Sequence, residues 1–245
     1  MNNENKIRLP VKMVISQAFR LLIALRKPFY KVLVIPAMFL ISIYFIKYYF
    51  ADTGYAFLVI LNIFSYFIYC YFIISVHRVV LLHENYSNIV IPRPSWRVVK
   101  YVLWVVATTL VAGLIAIPII ALNHLMSTDA SGLDQNLLMY LLAMLPAAYI
   151  LARLSLIFPA VALDKRPNFE RAWALSKNNG WRLFIVVGVL PYVFTLMQEL
   201  ISREESTIVE DIAIMLLSFI FLIIEITALS LSYKYLVLDK VVQEE

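Results

Sequence analysis

The sequence predicts an all-α, polytopic integral membrane protein with six transmembrane helices arranged as three hairpins. Composition is the first observation: 62% of the 245 residues are hydrophobic and only 15% are charged, whereas soluble domains carry about 45–50% apolar and about 25% charged residues. The second is the recurrence of apolar stretches of about 20 residues, the length that a helix needs to cross the hydrocarbon core of a bilayer. The third is the placement of positive charge: lysine and arginine are concentrated in every second connection between the stretches.

The six spans are separated by short polar connections. The link at residues 50–54 is so short that the first two spans must form an antiparallel hairpin. We predict one membrane domain over residues 1–245, with an amphipathic N-terminal segment at 1–28, a six-helix bundle at 29–236 and a short tail at 237–245. Prolines inside the spans predict local distortions, because proline removes a helical hydrogen bond. The predicted spans cover about Val32–Tyr49, Tyr55–Leu82, Tyr101–Leu122, Leu137–Ala162, Leu183–Ile201 and Ile212–Leu236.

Two further segments have the pattern of amphipathic helices. In the first, apolar residues recur from Val11 to Leu22 at helical spacing, with Lys12 and Arg20 on the opposite face, which predicts a helix lying in the headgroup region. The second covers Asn168–Lys177, where Asn168 is the expected N-cap and residues 178–180 (Asn-Asn-Gly) the expected stop. Both are predicted to lie on the cytoplasmic side.

The distribution of lysine and arginine predicts the orientation in the membrane. Eighteen of the 21 lysines and arginines fall in the N-terminal segment, the second-to-third and fourth-to-fifth connections and the tail. Since cytoplasmic connections carry the excess of positive charge, both termini are predicted to be cytoplasmic, in a bacterial cytoplasmic (inner) membrane. The membrane topology therefore accounts for the net charge of +5, and no nucleic-acid partner is expected.

An aromatic residue followed by a basic one stands at the start of each odd-numbered span. The ring suits the headgroup level and the cation can reach a lipid phosphate. Two interpretations stay open: a true threefold hairpin repeat, or a pattern common to membrane hairpins. We also expect Arg171 and Lys177 to meet anionic headgroups. The three pairs are Tyr30-Lys31, Trp96-Arg97 and Trp181-Arg182.

Two ionisable residues, Arg153 and Glu225, lie well inside spans. A charge in the bilayer costs at least about 2.5–3.5 kcal/mol on insertion scales, so such residues usually have partners or line a pathway. The hypothesis is an ion pair that joins the fourth and sixth spans. Two alternatives for Arg153 are a cavity-facing anion contact and extension of its side chain to the cytoplasmic interface.

The sequence gives no catalytic motif. It has no P-loop, nucleophile elbow or dinucleotide fingerprint. Its single cysteine, Cys70, lies in an apolar run and is expected to be inert. The histidines His77, His83 and His124 are expected to be interfacial polar residues, since they lack metal-site spacing. We therefore expect a non-enzymatic protein without metal or cofactor.

A pattern of residues runs from the fourth span through the fourth-to-fifth connection, and a second pattern ends the second span. The first consists of Arg153, Pro159, Ala172, Trp173, Ser176, Gly180, Trp181 and Arg182. The second is the segment from His77 to Leu82, with Glu84 after it, and together the two cover about a quarter of the chain. Both resemble uncharacterised bacterial six-span inner-membrane proteins, which are similar to the membrane domains of some glycerophosphodiester phosphodiesterases. The resemblance implies a six-span domain without catalytic residues; the family's catalytic part is a separate domain, for which we expect no room here.

Two functional hypotheses follow. The first is a protein that handles or transports lipid or a small amphiphile, or supports envelope homeostasis, with membrane lipids as its partners. The second is a structural subunit that docks another protein through the cytoplasmic segments 84–100 and 165–180. A lipid or a stoichiometric protein that remains bound during extraction would discriminate between them.

Overall fold

The computed structural model describes residues 8–50, 54–84, 95–126, 145–201 and 207–238, and its elements in these ranges are helices. Six of them are long and apolar enough to cross a membrane, which confirms the predicted fold class. The helices are α1 (Val11–Ala24), α2 (Arg26–Tyr49), α3 (Tyr55–Leu82), α4 (Trp96–Met126), α5 (Leu145–Ala162), α6 (Phe169–Leu175), α7 (Gly180–Ile201) and α8 (Ile208–Val237). The spanning helices are α2–α5, α7 and α8.

The predicted limits are confirmed for α3 and differ by a few residues for other spans. α2 begins at Arg26 because Pro28 falls in its first turn, where the missing N–H has no helical partner to lose. α4 begins at Trp96 and α7 at Gly180, so their aromatic-basic pairs belong to the first helical turn. Residues 137–144, the predicted start of the fourth span, lie outside the described residues.

Two prolines coincide with departures from regular α-helix. In α5 a turn at Ser155 and Leu156 interrupts the helix, and the N–H of Phe158 donates to the carbonyl of Ser155 at 3.0 Å. Pro159 has no N–H to donate to this carbonyl four residues earlier, so the regular pattern cannot continue. In α7 a wider π-helical turn, Ile185–Val189, ends two positions before Pro191.

α8 is central to the bundle, because it packs against α1, α3 and α7. Ile224 and Ala228 of α8 share one buried cluster with Val14 and Ala18 of α1. The middle of the apolar stripe of α1 thus contacts the bundle, and the position of α1 in the headgroup region stays a prediction. The small Ala18 and Ala228 side chains permit this close packing, while the outer stripe residue Phe19 remains 42% exposed.

His77 is completely buried between α3 and α8, so the expectation of an interfacial position is wrong for this residue. Its Nδ1 lies 2.7 Å from the Ser230 hydroxyl, which itself donates to the carbonyl of Ile226 at 2.7 Å. Because a hydroxyl has one proton to donate, we assign the imidazole proton to Nδ1. His83 is exposed at the end of α3, and the side chain of His124 lies outside the described part of the chain.

One end of the bundle gathers the starts of α2, α4 and α7 with the ends of α3, α5 and α8. Arg78 and Arg97 both contact Asp164, which joins α3 and α4 to the segment after α5. Lys165 Nζ lies 5.9 Å from the ring centroid of Tyr233, near the end of α8. This region is termed the basic end, and it carries Arg26, Lys27, Lys31, Arg78, Arg97, Lys165, Arg171, Lys177 and Arg182.

At the opposite end of the bundle, fewer charged groups are found among the residues that the structure describes. Tyr44 of α2 donates to Asp211 of α8 at 2.5 Å, and Lys47 of α2 donates to Asn62 of α3 at 2.7 Å. The two ends therefore differ in charge, as the sequence predicts. The side of the membrane on which each end lies stays a prediction from the lysine and arginine counts.

Candidate functional site

Each aromatic-basic pair exposes its ring more than its cation. Tyr30, Trp96 and Trp181 are 63%, 66% and 67% exposed, whereas the following basic residues are half-buried. An exposed ring at the end of a spanning helix suits the headgroup level of a bilayer. The shared arrangement fits both a threefold repeat and three independent hairpins.

Arg97 forms a bidentate ion pair with Asp164, with Nη2 to Oδ2 at 2.5 Å and Nε to Oδ1 at 2.8 Å. Arg78 reaches the same carboxylate at 3.5 Å, pairs with Glu84 and donates to the carbonyl of Ala162 at 3.1 Å. The Arg97 guanidinium holds the pKa of Asp164 below its usual range. The backbone of Asp164 is left-handed, with φ 57°, which reverses the chain after α5. This network fastens three spanning helices at the basic end.

Arg153 fastens α6 to α5. Its guanidinium carbon lies 3.4 Å from the ring centroid of Trp173, which is a cation–π geometry. Its Nη2 donates to the Trp173 carbonyl at 2.7 Å and its Nε to the Ser176 hydroxyl at 3.0 Å. The sequence placed Arg153 in a span, but its long side chain reaches the basic end and serves as a structural clamp there.

The predicted ion pair between Arg153 and Glu225 is not formed. The guanidinium of Arg153 is directed to α6, whose carbonyl and hydroxyl groups it can reach at the end of the bundle. Glu225 instead lines a cavity of about 200 Å³ between α3, α7 and α8. Among the described residues, Glu225 has neither an ion pair nor a hydrogen bond.

The amphipathic helix α6 begins as predicted. The Asn168 side chain accepts a hydrogen bond from the N–H of Glu170 at 2.9 Å, which confirms Asn168 as the N-cap. Lys177 is exposed beyond the end of α6, and Arg171 lines a shallow cleft with Lys165 and Arg166. Their contact with headgroups stays a prediction, which their position at the basic end permits.

The N-terminal segment is held at one residue by the fourth-to-fifth connection. Leu9 is buried, its N–H donates to Asn179 Oδ1 at 2.8 Å, and its carbonyl accepts from Arg182 Nη1 at 2.9 Å. Arg182 therefore has a protein acceptor, although a guanidinium has further donors for an anion. α6 ends at Leu175, two residues before the predicted end at Lys177, and a turn follows it. Asn179, part of the predicted stop, anchors the segment before α1.

A groove of about 770 Å³ lies at the basic end between the start of α2 and the end of α3. Apolar atoms of the α1–α2 corner form one part of its lining. Arg26, Lys27, Lys31 and His83 contribute the basic groups. Arg26 and Lys27 form no ion pair with the residues that the structure describes. One acid, Glu84, also lines the groove, and it pairs with Arg78. The groove thus combines apolar surface with more basic than acidic groups, which suits an anionic amphiphile.

Comparison with other proteins gives no relative. The chain matches no protein-family model, and no curated protein and no solved structure is significantly similar to it. The resemblance to the phosphodiesterase membrane domains therefore stays a prediction. In this chain its matching positions have physical roles of their own: Arg153 clamps Trp173 and Ser176, while Trp181 packs on Tyr149 at a centroid distance of 4.9 Å.

Several polar residues that line the Glu225 cavity or join helices at the basic end were not predicted from the sequence. Gln198 and Ser218, which line the cavity of Glu225, are polar residues within apolar spans, and that signal could have been used. Arg78 and Asp164 gave no signal beyond charge. Within the described ranges, no three His, Cys, Asp or Glu side chains are grouped to hold a metal ion.

Proposed function

We propose that this chain is a non-enzymatic protein of the bacterial cytoplasmic membrane that handles lipid or a small anionic amphiphile at its basic end. The groove between α2 and α3 carries the proposal. Its volume of about 770 Å³ falls within the roughly 300–1,000 Å³ of ligand sites. Its apolar lining suits an acyl chain and its cations suit a phosphate headgroup.

The predicted orientation of the chain in the membrane supports this assignment. If the basic end is cytoplasmic, as the lysine and arginine distribution predicts, the groove lies at the leaflet where anionic lipids attract basic residues by about 1 kcal/mol each. The exposed rings of Tyr30, Trp96 and Trp181 fit the same headgroup level. A bound lipid would contact Arg26, Lys27 and Lys31, while Arg153, Arg97 and Arg182 hold the surrounding helices together.

Native mass spectrometry after detergent-free extraction tests the proposal. The groove variant is the double substitution Arg26→Gln/Lys27→Gln. The matched control is Lys12→Gln/Arg20→Gln, which removes two exposed positive charges from α1. We expect an anionic lipid on the wild type and on the control, and its loss from the groove variant.

Other results would redirect the assignment. Equal retention or equal loss in both variants would contradict a groove site, since net charge alone would then govern binding. A protein bound at fixed ratio, unaffected by the groove variant, would favour the docking subunit that uses residues 84–100 and 165–180. Of the first segment, only residue 84 and residues 95–100 lie among the described residues.

A further inference from the structure

Glu225 lies near the middle of α8. It is 17 residues beyond Ile208, or about 26 Å along a helix that rises about 1.5 Å per residue. A carboxylate at this depth is costly unless something compensates it. The described residues offer Glu225 no ion pair and no hydrogen bond, so at this depth it is either protonated or compensated by a cation that enters beside it.

The cavity beside Glu225 has polar groups on one part of its wall. Gln198 of α7 donates through Nε2 to the Ser218 hydroxyl at 3.0 Å. Ser218 in turn donates to the carbonyl of Ile214 at 2.8 Å. Because Gln198 uses its amide nitrogen in this bond, its carbonyl oxygen remains an acceptor. The cavity therefore offers a carboxylate and an amide oxygen, which both favour a hydrogen-bond donor with positive charge.

Aromatic rings form another part of the wall, beside Thr195 and Leu222. Phe194 and Phe221 are stacked with centroids 4.3 Å apart, and Tyr69 and Phe219 are stacked at 5.9 Å. All four rings line the cavity. Aromatic faces attract organic ammonium groups through the ring quadrupole, and a neighbouring carboxylate strengthens this attraction.

Size and ligand count restrict the occupant. The volume of about 200 Å³ exceeds the roughly 30 Å³ of one water but lies below the roughly 300–1,000 Å³ of sites for drug-sized ligands. A hard metal cation would take about six or more oxygen ligands, and Glu225 is the only carboxylate of the cavity wall among the described residues. A small organic cation fits the volume, the charge and the rings.

We propose that the cavity between α3, α7 and α8 binds a small organic ammonium, with Glu225 as its counter-charge and the aromatic rings as its walls. This site has the opposite charge preference to the groove at the basic end and lies in the bundle. The proposal does not rest on the function assigned to the groove, and either can fail without the other.

The binding test uses the full chain in phosphatidylcholine nanodiscs and octylammonium as the probe, with 1-octanol as its neutral counterpart. Empty nanodiscs give the background from partition into lipid. We expect saturable binding of octylammonium, about tenfold weaker after Glu225→Gln because a charge-assisted contact is lost. Phe221→Leu should weaken it by a smaller factor. The matched control, Glu199→Gln, removes an exposed acid from α7 and should leave binding unchanged.

A second measurement needs no variant. A hydrophobic carbodiimide modifies intramembrane carboxyl groups, and octylammonium should slow the modification of Glu225 in the wild type while 1-octanol should not. Mass spectrometry follows the loss of the unmodified Glu225 peptide, so that the acylurea and the octylamide, which the primary amine can form with the activated carboxyl group, are both counted. Equal protection by the alcohol, equal binding by wild type and Glu225→Gln, or no saturable binding would overturn the proposal.

Discussion

Arg153 and Glu225 are the two ionisable residues that the sequence places well inside spans, and the structure gives them different surroundings. Arg153 reaches α6, where a ring, a carbonyl and a hydroxyl surround its guanidinium. Glu225 faces a cavity and has no such contacts with the described residues. A long side chain can carry its charge to the end of the bundle, whereas the short glutamate side chain cannot. One charge therefore stabilises the fold, and the other is available to a ligand.

Removal of the arginine clamp should give the largest effect. Arg153→Ala deletes a cation–π contact and two hydrogen bonds from a charged donor, so we expect a loss of about 2–4 kcal/mol in the free energy of unfolding. Denaturant unfolding in mixed micelles measures this loss. α6 should also become accessible to protease, because Arg153 joins it to α5.

Two controls sharpen the comparison with Glu225. Lys177→Ala removes an exposed positive charge close to α6 and should change stability by less than about 0.5 kcal/mol. Glu225→Gln removes a charge that has no described partner, so it should leave stability unchanged or raise it. A large loss of unfolding free energy in Glu225→Gln would contradict the difference between the two sites.

A second effect concerns the turn between α6 and α7. A Cβ on Gly180 would overlap the ring and hydroxyl of Tyr149, so Gly180→Ala should cost about 1–3 kcal/mol through overpacking. The unfolding free energy measures the cost, which should be smaller in a Tyr149→Phe background. Gly113→Ala is the matched control: its nearest neighbour atom, Ile117 Cδ1, lies 4.0 Å away, and we expect it to be neutral or stabilising.

The anchor of α1 gives a third effect. Asn179→Ala leaves the buried N–H of Leu9 without its acceptor, which costs about 1–3 kcal/mol. Hydrogen exchange should therefore accelerate at residues 8–24 before the rest of the bundle opens. Asn179→Asp keeps an acceptor oxygen and should retain more of the protection. Unchanged exchange in Asn179→Ala would show that hydrophobic packing of α1 on α8 is sufficient.

The spans could be predicted from sequence because length and hydropathy are local properties. The limits of α3 and the N-cap at Asn168 depend on neighbouring residues only, and both predictions are confirmed. The burial of α1 could not be predicted in this way, because its stripe fits a lipid surface and a protein surface equally well. The structure decides for the middle of the stripe, because Val14 and Ala18 belong to the same buried cluster as Ala228.

The partners of charged side chains were harder to predict. Arg153 and Glu225 lie at comparable depths along their spans, which suggested a pair, but depth leaves the rotation of each helix open. The structure directs Arg153 to α6 and places Glu225 with Gln198. The link from Asn179 to Leu9 spans 170 residues, so no local pattern in the sequence could have indicated it.

The smallest effect is a pH dependence at the basic end. The Arg97 guanidinium lowers the pKa of Asp164 in the folded protein, so the carboxylate stabilises the fold above its unfolded pKa of about 3.9. This contribution is lost as the pH falls through the lowered pKa of the folded state. Asp164 is 58% exposed, and exposed pairs contribute only about 0.2–1 kcal/mol.

Asp164→Asn should therefore reduce stability at neutral pH and flatten the decrease in stability below pH 4. Stability against pH, measured at low and at high salt, tests this, and high salt should weaken the difference. Glu199→Gln, which removes an exposed acid without an ion pair among the described residues, should keep the wild-type contribution of Asp164. An unchanged acid profile in Asp164→Asn would mean that Arg78 holds the basic end together through Glu84 and the Ala162 carbonyl, with little contribution from the exposed carboxylate and its pair with Arg97.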